Sequence, residues 1–311
     1  MQPVPIAPRR NLRHDWQMAI FEYQQVLANG INLQTSENPA SPVLRAFYAG
    51  YDRAFVLPDE REDLDGFERC LRLNLTIPRL FGRRHSEQVM VVTGDDGALL
   101  GGANFLATAM TAPGGPPVSM ALNYVFVEAA ARGRGLARVL ITAAQRMAAL
   151  ALTGGDTGPE PAVFIEQNDP LALSAADYAI DTAHAGIDQV DRLAIWASLG
   201  ARLVDFPYVQ PALSADQEPD DGLIYAALRF PGASIPPAWF HDHLQSFFGF
   251  SVRKGAPLAD DRVSMGQLDA LAVRTDAVRL IEVDGAIAAL KAGGRPSGAM
   301  TFRQFAGGLP P

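Results

Sequence analysis

Between Val125 and Leu140 the sequence reads VFVEAAARGRGLARVL: an apolar stretch, then Arg132-Gly133-Arg134-Gly135, then a helical pattern. Arginines and glycines where a helix opens are the chemistry of anion binding. Glycine removes the Cβ that would hold a main-chain N–H away from an anion, and the helix N-terminus presents the positive end of its dipole. Spacing excludes two nucleotide-binding turns. A dinucleotide turn needs G-x-G-x-x-G, and Arg138 stands where the third glycine would be. A P-loop needs a lysine directly after its last glycine, and the only lysines of the chain are Lys254 and Lys291. The plain alternative is a surface turn whose arginines serve solubility.

What remains is R-G-x-G-x-A, carried by Arg132, Gly133, Gly135 and Ala137. This pattern resembles the Q/R-x-x-G-x-G/A signature of the GCN5-related N-acetyltransferases, and the resemblance extends from Pro42 to Phe230. It implies an α/β fold with a mixed, mostly antiparallel central sheet flanked by helices. Residues 42–230 would form the acyltransferase domain, with an N-terminal extension (1–41) and a C-terminal extension (231–311). Successive amides from Gly133 through Leu136 and Ala137 to Arg138 would cradle the pyrophosphate of acetyl-coenzyme A, and Arg132, Arg134 and Arg138 would add positive charge. The resemblance also implies that the motif strand and the next strand splay apart. The main chains of Val125 and Val127 would then serve the acyl and pantetheine end, with Asn168 touching pantetheine. Followed by Asp169-Pro170, Asn168 reads equally well as a turn-former.

Making an amide from a thioester and an amine requires a base for the amine, donors for the developing oxyanion, and a proton for the departing thiolate. The resemblance implies a glutamate base and a tyrosine acid, the latter in a Y-x-x-x-G-F pattern. Here WASLGA puts Trp196 at that position, and an indole cannot supply the proton. Three tyrosines could substitute: Tyr208, Tyr124 and Tyr225. Each also reads as a half-buried strand aromatic. Tyr208 is preferred, because Pro207 and Pro211 flank it in a non-ladder segment. Glu166 ends the strand AVFIE, where the acyl group should lie, and is the expected base; a solvated strand-end carboxylate is the alternative. Glu128 is expected to point into solvent. Cys70 falls on one helical face with Phe67 and Leu71, a buried thiol rather than an acyl carrier. The expected activity is therefore direct acetyl transfer in a ternary complex, to a small-molecule amine or a peptide N-terminus. Trp196 favours a rival of another class, a non-catalytic acyl-coenzyme A-binding or scaffold protein. No metal is expected, since His241 and His243, two apart, do not share a helical face.

The elements that must position these residues follow from periodicity. A helix is expected over Trp16–Leu27. A second carries Leu44, Phe47, Tyr48, Tyr51 and Phe55 at helical spacing, and a third starts in the acidic run Asp59–Asp63, a solvated helix start that could also attract a cationic amine. QVMVVTG and ALLGGANFLATAM, separated by DDG, read as a hairpin. A strand over Met120–Val127 leads to the turn. The helix after Gly135 shows Leu136, Val139, Leu140, Ala143, Met147 and Leu150 on one face. Then come the strand AVFIE, a helix ended by Gly200, a strand from Arg202 and the strand GLIYAALRF. PPAWFHDHLQSFFGF is a helix, and beyond it the pattern is weak.

With 311 residues, 48% hydrophobic and 19% charged, the chain has the make-up of a soluble globular protein. A net charge of −8 excludes a general nucleic-acid binder. No apolar run approaches the roughly 20 residues of a membrane span. The start, MQPVPIAPRRNLRHDW, has no apolar core, so a cytoplasmic location is expected. The two extensions would cover the substrate groove or form a homodimer contact.

Overall fold

The computed structural model describes residues 20–27, 30–55, 61–155, 158–214, 217–294 and 300–309. They fall into two compact units. The first holds the described residues up to Ala109 together with Met120–Pro161; the second holds Met110–Ser119 and the residues from Ala162 on.

In the first unit β1 (Glu22–Val26), β2 (Asn32–Ser36), β3 (His85–Thr93), β4 (Leu99–Ala109) and β5 (Val118–Val127) lie side by side in that order. The pairs β1–β2, β2–β3 and β3–β4 are antiparallel. The helix expected over residues 16–27 is not formed where the chain is described. EYQQV is β1, held in register by β2 from Glu22 opposite Ser36 to Val26 opposite Asn32. Ladder pairing overrides local propensity here.

Two helices cover one face of this sheet. α1 (Pro42–Ala54) is opened by Ser41, whose Oγ accepts from Leu44 N at 3.2 Å, with Pro42 pre-set in its first turn. α2 (Leu64–Thr76) is opened by Asp63 in the same way, at 2.6 Å from Gly66 N. Leu44, Phe47 and Tyr51 of α1 and Phe67 and Leu71 of α2 form one core with Val89, Val91 and Phe126. Gly50 lets α1 come this close: a Cβ there would lie 2.4 Å from the Phe126 ring. Cys70 is buried in α2, as expected. α3 (Leu136–Thr153) covers the other face, because a Cβ on Gly101 would meet Leu140 while one on the next residue, Gly102, would meet Phe126. Among the described residues α3 is the helix long and apolar enough to cross a membrane by length and composition, and 50% of it is buried inside the fold.

In the second unit the order is β6 (Ala162–Asn168), β8 (Leu223–Leu228), β7 (Ala201–Val204), β10 (Val278–Ile281) and β9 (Ser234–Ile235), each paired antiparallel with its neighbour. α4 (Ala175–Ala185) and α5 (Gln189–Ser198) lie between β6 and β7 in the chain. α6 (Pro237–Phe247) is the helix expected over PPAWFHDHLQSFFGF, while α7 (Arg262–Ala272), α8 (Asp284–Lys291) and α9 (Phe302–Gly308) come from beyond it, where sequence periodicity is weak. α6 lies against the 110–119 segment: Trp239 Nε1 donates to Pro116 O at 3.1 Å, and Asp242 accepts from Thr111 at 3.0 Å.

Glu87 of β3 shows what the sheet of the first unit tolerates. Past Val89, β2 has ended, and the Asn74 side chain takes both main-chain groups of Glu87, accepting from its N–H at 2.9 Å and donating to its carbonyl at 2.8 Å. The Glu87 side chain is 1% exposed; its Oε1 accepts from Asn104 at 2.5 Å and its Oε2 has no partner. Burial pushes this carboxyl up to about 8, against the pull of the Asn104 and Asn123 hydrogen bonds. A raised carboxyl contributes stability that is complete below its unfolded value near 4.5 and is lost as pH rises through about 8. In urea titrations the protein should therefore lose on the order of 2 kcal/mol more stability between pH 5 and pH 8.5 than Glu87→Gln, whose side chain stays neutral throughout.

Candidate functional site

The turn after β5 is built from its main chain. Glu128 N donates to Leu100 O at 2.9 Å, a 3₁₀ turn spans Ala129–Ala131, and Gly135 caps α3. Gly133 and Gly135 have φ of 76° and 73°, the left-handed region that glycine enters without strain. A Cβ built on either meets nothing within 4 Å, so conformation rather than crowding demands glycine, and the space before the turn is open. α1, α2, α4, α5, α7 and α9 each begin at a side chain that accepts from their first turn; α3, like α6 and α8, has no such cap. The first-turn amides of a helix have no acceptor inside it. Arg132, Arg134 and Arg138 are exposed around them, Leu136 is buried beneath, and Ala137 is half-buried. An anion fits this arrangement. Glu128, expected in solvent, instead pairs with Arg53 at 2.5 Å. Gly133→Ala and Gly135→Ala should each cost about 1 kcal/mol in thermal or urea unfolding, through backbone strain alone, since no core contact changes.

The strand leading to the turn is irregular. Asn123 Nδ2 reaches Asn104 Oδ1 at 3.1 Å and Glu87 Oε1 at 3.4 Å, on the face covered by α1 and α2. Tyr124, its neighbour in the chain, also faces that side, with ring centroids 4.8 Å from Tyr51 and 5.3 Å from Phe55. Consecutive residues of a regular strand face opposite ways, so the alternation of β5 slips by one residue there. The slip comes just before Val125 and Val127, both half-buried.

The second unit brings together the expected base and the preferred tyrosine. Glu166, near the end of β6, stands opposite Tyr225 of β8. The Tyr225 ring stacks on Tyr208 at 4.4 Å between centroids, and the Tyr208 hydroxyl donates to Glu166 Oε1. The same hydroxyl lies 2.5 Å from Gln210 Oε1. Glu166 is half-buried and Tyr208 only 5% exposed. Loss of hydration pushes the Glu166 carboxyl up to about 7; the Tyr208 hydrogen bond holds it down, and the charge of Asp220 adds to the rise. Burial and the charge of Glu166 push Tyr208 well above 10, so the phenol keeps its proton. One hydroxyl proton therefore serves two acceptors. It goes to Glu166 when the carboxylate is charged and is free to turn to Gln210 when Glu166 is protonated. This is a carboxyl poised to exchange a proton near neutrality, beside a hydroxyl that fits either state.

Behind the pair lies a buried array that the sequence did not reveal. His243 Nε2 is 2.5 Å from the Tyr225 hydroxyl, and its Nδ1 is 2.5 Å from Ser119 Oγ. Its ring stacks on Phe164 at 4.0 Å, and burial pulls it down to about 3, so it is neutral. The signal was present: on α6, His243 follows Trp239 by four and Phe240 by three, inside the apolar stripe. Tyr124 belongs to the first unit, in the aromatic cluster with Tyr51, Phe55 and Phe67. Asn168 ends β6 opposite Leu223; the turn that follows is made by Asp169, whose Oδ1 accepts from Leu171 N at 2.8 Å. Trp196 is half-buried on α5. No group of three His, Cys, Asp or Glu side chains able to hold a metal occurs among the described residues.

No family model and no curated protein matches the sequence. Among solved structures the chain is similar to the ribosomal-protein-S18-alanine N-acetyltransferase from Escherichia coli, at 17% identity and a TM-score of 0.31, over 60% of this chain and 86% of that one. It is similar to a spermidine N-acetyltransferase variant from Vibrio cholerae at 11% identity and a TM-score of 0.35, over 64% and 93%. A GCN5-related N-acetyltransferase from Kribbella flavida gives 19% identity and a TM-score of 0.29, over 64% and 96%. Likenesses of this size assign no residue a role.

Proposed function

We propose that the protein is an acyl-coenzyme A-dependent N-acyltransferase that moves acetyl from acetyl-coenzyme A to an amine, by direct attack within a ternary complex. The observation that carries the reading is the open, uncapped turn at the start of α3, with its two left-handed glycines and three exposed arginines. By the resemblance, the amides of Gly133, Arg134, Gly135, Leu136, Ala137 and Arg138 would hold the pyrophosphate, and the main chains of Val125 and Val127 would serve the pantetheine and acyl end. Bound there, acetyl-coenzyme A would supply the acyl group and a thiolate leaving group.

Glu166 takes the proton that the amine nitrogen sheds as its bond to the acyl carbon forms. The protonated carboxyl would then return that proton to the departing thiolate. Tyr208 is too weak an acid for that second step. It holds Glu166 and, by turning between Glu166 and Gln210, fits both of its charge states. This differs from the acid role expected for Tyr208, and it makes Trp196 at the usual tyrosine position a smaller obstacle. The acceptor would be a small-molecule amine or a peptide N-terminus, and the cytoplasm is the proposed location.

Calorimetric titration with acetyl-coenzyme A should give micromolar binding to the protein and none to Gly135→Glu, whose carboxylate repels a pyrophosphate. Binding that survives in the variant overturns the reading. With an amine acceptor, kcat/KM should rise with pH through about 7 as Glu166 ionises, and Glu166→Gln should lower kcat by roughly 10² to 10⁴ and abolish that limb. Trp196 keeps the second reading in play, a non-catalytic acyl-coenzyme A-binding protein, and that reading predicts binding with no release of free coenzyme A across an amine panel.

A further inference from the structure

We infer that Gln267 is a positioning residue for Tyr208, which makes the segment after residue 231 a working part of the candidate catalytic unit rather than an appendage. The inference rests on the roles proposed for Glu166 and Tyr208. Tyr208 sits in Asp205–Pro211, a stretch outside the strands, so no ladder fixes it. Two of its residues are proline and give no N–H. Phe206 N and Tyr208 N close tight local turns on Val204 O and Phe206 O, both at 2.8 Å. Gln210 exchanges both main-chain bonds with Asp220, at 2.8 and 2.9 Å.

The remaining supports come from beyond residue 231. Asp205 N donates to Arg279 O of β10 at 2.8 Å. Val209, the residue after Tyr208, has both main-chain groups taken by one side chain: Gln267 Oε1 accepts from its N–H at 3.1 Å, and Gln267 Nε2 donates to its carbonyl at 2.8 Å. A carboxamide carries one acceptor and a donor in one plane, so it stands in for a single residue of an adjoining strand. Gln267 is 7% exposed on α7, and that helix is fixed by the Asp261 cap at 2.9 Å from Ser264 N and by packing against α6. Phe248, from the turn after α6, flanks the Tyr208 ring at 6.2 Å, with Tyr225 also stacked on it. The orientation of the Tyr208 hydroxyl toward Glu166 therefore depends on an amide 59 positions further along the chain (267 minus 208).

The test is the titration of the Glu166 carboxyl by ¹³C NMR in glutamate-labelled protein without substrates, the resonance identified by its loss in Glu166→Gln. Wild type, Gln267→Met, Tyr208→Phe and the double variant are compared. Methionine keeps the length of the side chain and removes both hydrogen bonds. Because the Tyr208 bond holds the carboxyl down, loosening Tyr208 should raise the wild-type midpoint of about 7 by half a pH unit to one unit in Gln267→Met. Tyr208→Phe should raise it at least as far, and the double variant should go no further than Tyr208→Phe. A merely structural glutamine would add its effect to that of Tyr208→Phe, or leave the midpoint of a cooperatively folded variant unchanged. Either result overturns the inference. If Gln267→Met does not fold, Gln267→Asn, which stays neutral and is one methylene too short to keep both bonds to Val209, gives the same comparison. Where transfer activity is measurable, the acid limb of kcat/KM should move with the midpoint. A protein that binds no acetyl-coenzyme A but shows the non-additive titration would refute the proposed function and leave Gln267 in its role.

Discussion

A strand that stops pairing still has main-chain groups that must find partners, and burying one unpaired costs about 1–3 kcal/mol. Both units meet this constraint with a carboxamide. Asn74 takes the two main-chain groups of Glu87 where β2 runs out, and Gln267 takes those of Val209 where β7 has ended. In each case the residue held, or the one beside it, carries a buried polar group whose position matters. The irregular parts of the fold are thus as firmly placed as the ladders, and the candidate chemistry sits on an irregular part.

Glu87 and Glu166 are both raised by burial and differ in what they can do. Glu87 is almost wholly buried and faces neutral asparagines. Its proton is stable in the fold, and the group behaves as a structural polar residue. Glu166 is half-buried, its midpoint is brought to about 7, and its hydrogen-bond partner can donate to it or turn away. Proton exchange with a substrate needs access as well as a suitable affinity for the proton, and Glu166 has both. The neutral His243 behind Tyr225 adds no charge that would pull the carboxyl back toward its ordinary value.

Much of the architecture is legible in the sequence because burial imposes a period. α1, α2, the β3–β4 hairpin, α3 and β6 lie where apolar spacing puts them, and Gly135 and Gly154 bracket α3 as its caps. α4 is not legible that way, since among its residues only Asp181 is buried; its markers are the Ser174 cap and Gly186, which are local signals without a stripe. β1 is not legible either, because EYQQV has no strong period of its own and takes its state from β2. Glu166 and Tyr208 can each be picked out singly, by strand end and by flanking prolines. Their contact spans 42 residues and rests on support from α7, in the stretch where the spacing is weak. A side chain that works by holding another, such as Gln267, has no signature of type or spacing; only the tertiary path reveals it.

Charge follows the same division between local and global. The chain as a whole is acidic, at −8, yet the turn at α3 presents Arg132, Arg134 and Arg138 around uncapped amides, with Glu128 engaged by Arg53. At physiological salt, charges further than about 8 Å apart are largely screened, so an anion at the turn responds to the arginines and the helix end rather than to the net charge. A polyanion such as nucleic acid, spread over much of the surface, would meet the acidic surplus at close range, whereas a compact pyrophosphate at the turn would not. Binding at the proposed anion site would therefore be selective by geometry: the turn would take an anion small enough to sit within one helix end, and the acidic surplus would disfavour larger ones.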